Sequence, residues 1–175
     1  AYMKLKDYGN AVKAYTDSNF EDRTDACSRA LKKAKTLHKK QQDEAYLDND
    51  LSDQAKAKGN ELFKAGKFKE AIEEYTEAIK RNPKNLGAYS NRSNSYSKLM
   101  SWQQVLSDCE KCLEIDPAFL KAHIRKGKTL HFLKKYHKAI TAFDEGLKVV
   151  PNNPELLQAK RETETKVAME NMQGN

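Results

Sequence analysis

The chain has 175 residues, of which 33% are charged and 38% hydrophobic, and its mean hydropathy is -0.90. This composition suits an elongated, surface-rich helical fold and argues against one large globular core. No apolar run approaches the roughly 18 residues that a membrane-spanning helix needs, and the opening residues lack the apolar stretch of a secretory signal. We therefore expect a cytoplasmic protein.

The net charge of +7 is unevenly distributed along the chain. Residues 1–50 carry ten basic and nine acidic side chains, whereas residues 51–175 carry 22 and 16. A basic surface attracts nucleic acid, anionic lipid or acidic peptides, and charge alone does not distinguish these partners.

The first residues repeat the pattern of a later part of the chain. The segment KDYGNAVKAYTDS places two aromatic residues and an alanine at the same spacing as the later GKFKEAIEEYTEA. We expect residues 1–23 to be the end of an earlier repeat whose first helix is missing from this fragment.

A long helix is predicted next, over residues 24–47. Its apolar stripe would cover the exposed end of the preceding repeats, because terminal repeats need a polar outer cap. The lysines between residues 32 and 40 could form a nucleic-acid arm, but such charges on a helix are usually solvated. An acidic linker is expected around Asn49–Asp53, with Asp50 or Ser52 as the N-cap of the following helix.

Three prolines at intervals of 34 residues, Pro83, Pro117 and Pro151, mark the ends of three similar segments. The start and stop signals in each segment predict two helices, and those after Pro151 predict a final capping helix over residues 155–169. The first helices are predicted at 53–65, 87–99 and 120–133, and the second helices at 68–81, 102–115 and 136–149.

Small and apolar residues also recur with this period. The recurring sets are Ala71, Val105 and Ala139; Tyr75, Cys109 and Phe143; Ala78, Cys112 and Gly146; and, where paired helices approach closely, Gly59, Ser93 and Gly127. A 34-residue repeat of helix pairs is typical of tetratricopeptide arrays. We therefore predict an all-α tetratricopeptide repeat superhelix of antiparallel helix pairs with a C-terminal capping helix. The predicted parts are the end of a preceding domain at 1–23, a capping and linker helix at 24–49, a three-repeat domain at 50–170 and a frayed tail at 171–175.

The sequence contains no arrangement that indicates catalysis or a metal site. Cys109 and Cys112 form a C-x-x-C pair, which could suggest redox chemistry or half a zinc site. Both fall at core positions of the repeat, and together with Cys27 they are an odd set without a second ligand pair. We expect no enzyme activity, no cofactor and no metal.

In a tetratricopeptide array the first helix of each repeat lines the concave groove. The predicted groove residues are Lys56, Asn60, Ser90, Asn91, Asn94, Lys121, Ile124, Arg125, Lys128 and Phe132. Lys56 and Asn60 are one helical turn apart, as are Lys121 and Arg125, so each pair presents two donors to one part of the groove.

At these positions the chain resembles the carboxylate-clamp tetratricopeptide domains of chaperone adaptors, which hold the C-terminal Glu-Glu-Val-Asp of heat-shock protein 70 and heat-shock protein 90. The resemblance implies a clamp of Lys56, Asn60, Asn91, Lys121 and Arg125. The first four would hold the two carboxylates of the terminal aspartate, and Arg125 would reach the peptide further upstream.

The apolar residues of the peptide would need a patch of their own, for which Phe63, Ile124 and Phe132 are the candidates. The order of parts also resembles the central region of the co-chaperone family that organises heat-shock proteins 70 and 90. In that family the domain matching residues 50–170 favours heat-shock protein 70, so we expect that partner, with heat-shock protein 90 possible, and neither nucleic acid nor membrane.

Two alternatives remain open from the sequence. The domain could be the clamp module of a prolyl isomerase or protein phosphatase whose catalytic domain lies outside this fragment. It could also be a basic helical repeat that binds nucleic acid, although no row of aromatic residues for base stacking supports this.

Overall fold

The computed structural model describes residues 7–17 and 25–173, and every regular element among them is an α-helix. The chain forms two compact units that divide between Asp48 and Asn49. The first unit contains α1 (Tyr8–Asp17) and α2 (Asp25–Tyr46). The second contains α3 (Asn49–Lys64), α4 (Phe68–Arg81), α5 (Leu86–Lys98), α6 (Trp102–Ile115), α7 (Leu120–Phe132), α8 (Tyr136–Val149) and α9 (Pro154–Gln173).

In the first unit α1 packs against α2. Ala11 of α1 and Ala34 of α2 are buried at this contact, and Leu31 and Leu37 flank it half-buried. The predicted stripe on the long helix therefore has Ala34 at its centre. The remainder of the expected upstream repeat, residues 1–6 and 18–23, lies outside the described residues.

The second unit consists of three helix pairs and a final helix, each packed against the next. The pairs are α3 with α4, α5 with α6, and α7 with α8, and α9 packs on α8. The all-α repeat architecture is thus confirmed, and the second helix of each pair has the bounds predicted from the sequence.

The turn inside each pair closes with a residue in the left-handed region. These residues are Gly66, Met100 and Lys134, with φ of 76°, 55° and 56°, and they are 34 residues apart. Such a residue ends a helix by turning the backbone away from the helical path. Only the first repeat uses glycine for this purpose.

The repeat register is confirmed by burial. The recurring core positions of the second helices are all buried: Ala71, Tyr75, Ala78, Val105, Cys109, Cys112, Ala139, Phe143 and Gly146. A Cβ on Gly59 would lie 2.7 Å from Cε1 of Tyr75, and one on Gly127 would overlap the ring of Phe143. The second repeat tolerates Ser93 at the equivalent position because Cys109 replaces the large ring.

The predicted acidic linker at Asn49–Asp53 is wrong, because α3 already begins at Asn49. Ser52 is not an N-cap. It is buried inside α3, where its hydroxyl donates to the carbonyl of Ala78 over 2.7 Å and accepts from Nδ2 of Asn85 over 2.9 Å. These two hydrogen bonds, to α4 and to the residue before α5, hold Ser52 in place, so α3 begins earlier than predicted.

The final helix covers the end of the array, as predicted. Leu156 and Thr163 are fully buried, and Asn153 caps the helix by accepting from the backbone N–H of Leu156 over 3.0 Å. The helix continues to Gln173, four residues beyond the predicted end at Met169.

Candidate peptide-binding groove

The first helices of the three repeats carry the predicted groove residues. Lys56 and Asn60 lie on α3, Asn91 lies on α5, and Lys121 and Arg125 lie on α7. They come from three successive repeats, and Asn91 and Arg125, 34 residues apart, occupy the same repeat position.

Asn60 and Asn91 meet across the first two repeats. Nδ2 of Asn91 donates to Oδ1 of Asn60 over 2.8 Å, and the hydroxyl of Tyr75 donates to the same oxygen over 2.9 Å. These two bonds link α3, α4 and α5, and they arrange the two amides as one hydrogen-bonding group.

A cavity of about 320 Å³ opens beside this amide pair. Asn60, Asn91, Asn94, Phe63 and Tyr75 contribute to its lining. Phe63 packs edge-on against Phe68 with ring centroids 5.2 Å apart, which gives the cavity one apolar wall. The space is large enough for a small polar group such as a chain terminus.

Lys56 is held near the N-terminal end of α3 by an exposed carboxylate. Its Nζ lies 2.6 Å from Oδ1 of Asp53, and the hydrogen bond and charge of Lys56 hold the pKa of Asp53 below its usual range. Asp53 is 66% exposed, and pairs of this kind are worth little in water. A bound carboxylate can therefore replace Asp53 as the partner of Lys56 at small cost.

Arg125 is anchored to neutral groups of the neighbouring repeat. Its Nη1 donates to Oγ of Ser93 over 2.8 Å and to the carbonyl of Ser90 over 3.1 Å. Lys121, one turn earlier on α7, is exposed, and no acidic side chain of the described residues forms an ion pair with it. Both cations keep donors for an anionic ligand.

A second cavity, of about 450 Å³, lies along α7. Lys121, Ile124, Arg125 and Phe132 line it together with Trp102. The structure thus brings Ile124 and Phe132 together, whereas Phe63 belongs to the cavity beside Asn60. The predicted apolar contacts are divided between two places in the groove.

Trp102 and Glu155 line the second cavity and were missed by the sequence analysis. The rings of Trp102 and Phe132 lie 4.4 Å apart between centroids, which supports Phe132 although it is 60% exposed. Glu155 pairs with Lys128 over 2.6 Å, so this groove lysine already has an acidic partner. Trp102 lies on α6 and Glu155 on α9. The sequence analysis searched only the first helix of each repeat for groove residues, so it could not find either of them.

The cysteines and histidines of the described segments form no metal site. Burial raises the pKa of Cys109 to about 11 and that of Cys112 to about 12, which keeps both thiols protonated. His123 is buried, and its Nε2 donates to the carbonyl of Pro117 over 2.9 Å. Cys109 and Cys112 occupy core positions, as predicted. The side chain of Cys27 lies outside the described residues.

No helix in the described part of the chain combines the length and the apolar character needed to cross a membrane.

Comparison with known proteins identifies repeats and relatives of the same kind. Two family models match the second unit: a TPR repeat over residues 59–99 and a tetratricopeptide repeat over residues 120–153. Among curated proteins, the Hsp70-Hsp90 organizing protein 1 of Glycine max is 44% identical over 156 residues. The match covers 89% of this chain and 27% of the relative, so the chain spans about a quarter of that protein's length.

Solved structures resemble the chain closely as well. The TPR2AB domain of yeast Sti1 in its pHSP90 complex is 32% identical with a TM-score of 0.86, covering 93% of this chain and 66% of the solved one. The TPR2B domain of yeast Sti1 in its pHsp70 complex is also 32% identical, with a TM-score of 0.62, and the match covers 66% of this chain and 97% of that domain.

Proposed function

Because the chain belongs to the tetratricopeptide repeat family, we propose that its second unit is a co-chaperone adaptor module that binds the C-terminal Glu-Glu-Val-Asp tail of a heat-shock chaperone. Heat-shock protein 70 is the favoured partner and heat-shock protein 90 the second. The module corresponds to residues 50–170, it has no catalytic role, and it works in the cytosol. The relatives support this assignment, since their names refer to both chaperones or to a complex with one of them.

The observation that carries the proposal is the set of donors on three successive first helices. Asn60 and Asn91 are joined at 2.8 Å beside one cavity, while Lys121 and Arg125 line the next. A chain end ending in aspartate bears a main-chain and a side-chain carboxylate within a few ångströms of each other. Ammonium and amide donors pair with both, and hydrogen bonds to charged groups contribute ~1.5 to 3 kcal/mol each.

The residues along the groove contact different parts of the peptide. Lys56, Asn60, Asn91 and Lys121 hold the two terminal carboxylates, and Arg125 pairs with a carboxylate further upstream. Phe63 contacts the apolar part of the terminal residues, and Ile124 and Phe132 contact the residues before them. Ordering a flexible tail offsets part of this gain. The expected dissociation constant is therefore micromolar, which corresponds to a binding free energy of about -8 kcal/mol.

Calorimetric titration tests the proposal directly. We expect an eight-residue peptide ending in Glu-Glu-Val-Asp to bind with a micromolar constant, and the same peptide with a C-terminal amide to bind at least tenfold more weakly. Peptides from the two chaperone tails then establish the preference. If the free acid and the amide bind equally, or neither binds, the carboxylate site is disproved. Binding to polyanions regardless of a free C-terminus, with steep salt dependence, would instead indicate nucleic acid.

A further inference from the structure

The side-chain oxygen of Asn60 has no acceptor capacity left for a ligand. It accepts from the hydroxyl of Tyr75 over 2.9 Å and from Nδ2 of Asn91 over 2.8 Å. An amide oxygen has two lone pairs, and both are used. The opposite edge of the amide, the Nδ2 group, donates to no described protein group, and Asn60 lines the cavity of about 320 Å³. The amide is thereby oriented as a donor toward the cavity.

The phenol of Tyr75 is suited to hold this orientation. Tyr75 is 1% exposed, and burial raises its pKa while a hydrogen bond from Asn91 acts in the opposite direction. The hydroxyl therefore stays protonated and remains a donor. Without it, one lone pair of Asn60 would be open, and the amide could turn its oxygen toward the groove, where it would repel a carboxylate.

The three repeats offer an internal comparison. The positions equivalent to Tyr75 are Cys109 and Phe143, both fully buried, so this core position needs no hydroxyl. Phe143 packs against Gly127 as Tyr75 packs against Gly59. Of these three repeats, only the one that contains Asn60 has the hydroxyl. The ring packs against Gly59, and the hydroxyl has Asn60 as its hydrogen-bond acceptor.

We propose that Tyr75 is a positioning residue of the peptide site, whose hydroxyl fixes the amide of Asn60 so that both its N–H groups face the terminal carboxylate of the ligand. The inference rests on the proposed function, because it assigns Asn60 to the carboxylate site. It adds a residue of a second helix to a site built from first helices.

The test uses Tyr75→Phe in the full chain, with free-acid and amidated Glu-Glu-Val-Asp peptides. The expected loss is about fivefold in affinity for the free acid, with little change for the amide and an unchanged melting temperature. In an Asn60→Ala background, Tyr75→Phe should have no further effect. Tyr89→Phe is the matched control, since that tyrosine is buried on α5 with its ring beside Arg92.

A readout in the free protein separates this inference from the proposed function. The side-chain amide signals of Asn60 should shift in Tyr75→Phe before any peptide is added, whatever the ligand is. Unchanged amide signals with unchanged affinity would overturn the role of Tyr75. Equal losses for both peptides, or a loss that persists in Asn60→Ala, would show general damage and overturn it too. If the unmodified protein binds both peptides equally, the proposed function is disproved. The inference is then disproved as well, because it rests on that function.

Discussion

Arg92 holds the buried carboxylate of Asp108 through two parallel hydrogen bonds, 2.9 Å from Nε to Oδ2 and 2.7 Å from Nη2 to Oδ1. Asp108 is 3% exposed, and the guanidinium also lies beside the rings of Tyr89 and Tyr96. A third bond, from Nη1 to the hydroxyl of Thr76 over 3.0 Å, reaches the preceding repeat. This arrangement joins α4, α5 and α6 away from the groove cavities.

Replacing Arg92 should therefore lower stability strongly. Arg92→Met leaves Asp108 buried without a charged partner, and we expect a loss of about 3 kcal/mol in the free energy of unfolding, measured with urea. Arg92→Met with Asp108→Leu should be less destabilising than the sum of the single changes, because the double variant has no unpaired charge. Additive losses would mean that the pair is not coupled.

Lys121 should be important for binding and unimportant for folding. Because it is exposed and lines the second cavity, Lys121→Ala should weaken peptide binding by about tenfold and leave the melting temperature unchanged. Lys126→Ala is the control on the same helix, since Lys126 lies 4.0 Å from Glu110 and lines no groove cavity. Equal effects of the two variants would argue against a specific role for Lys121.

The close approach of paired helices predicts opposite outcomes at two glycines. A Cβ at Gly127 overlaps the ring of Phe143, whereas one at Gly87 has ordinary contacts, the nearest being Cδ of Lys56 at 3.4 Å and Oδ1 of Asn85 at 3.5 Å. We expect Gly127→Ala to cost about 1–3 kcal/mol of stability, and Gly87→Ala to change it by about 0.5 kcal/mol or less. A Gly127→Ala variant with an unaltered unfolding curve would contradict the packing of α7 on α8.

The turn at Lys134 should be improved by glycine. Lys134 has φ of 56°, where a side chain costs about 1–2 kcal/mol, and the entropy loss of glycine offsets part of the relief. Lys134→Gly should therefore raise stability by about 0.5 kcal/mol, while Gly66→Ala should lower it by about 1 kcal/mol. Thermal unfolding of both variants measures the difference, and a less stable Lys134→Gly protein would disprove the argument.

The buried thiols predict a decline of stability at high pH. The pKa values of Cys109 and Cys112 rise from 9.0 to about 11 and about 12 in the folded protein. Unfolded thiols therefore lose their protons first, so the contribution of these thiols to stability is unchanged at neutral pH and falls as the pH rises through about 9. In a Cys27→Ser variant, we expect alkylation by iodoacetamide at pH 8 to be slow until urea unfolds the chain. Rapid alkylation of the native protein would contradict the burial.

The sequence predicted the second helices better than the first ones. In α4, α6 and α8 the apolar positions recur with a strong helical period and a proline follows each helix, so the local signals define the bounds. The start of α3 was missed because Ser52 looks like a cap or linker residue locally. Its bonds to Ala78 and Asn85 come from segments about 30 residues away.

The sequence predicts which residues face the groove, but it does not predict their geometry. A period of 34 identifies which residues face the groove, so Asn60, Asn91 and Lys121 follow from counting. The pairing of Lys128 with Glu155 depends on how α9 crosses the end of α7, and no local pattern encodes that crossing.

Ser52 and Asn85 also set the angle between neighbouring repeats. Apolar contacts let helices rotate against each other, whereas a hydrogen bond is directional and holds only one rotation. These residues are joined by a hydrogen bond of 2.9 Å, and Asn85 also caps α5. The bond therefore limits the rotation of the second helix pair relative to the first. This rotation determines the distance between Asn91 and Lys56. A buried hydroxyl and a buried amide thus help to fix the distance between the donors that the proposed function assigns to the ligand's carboxylates.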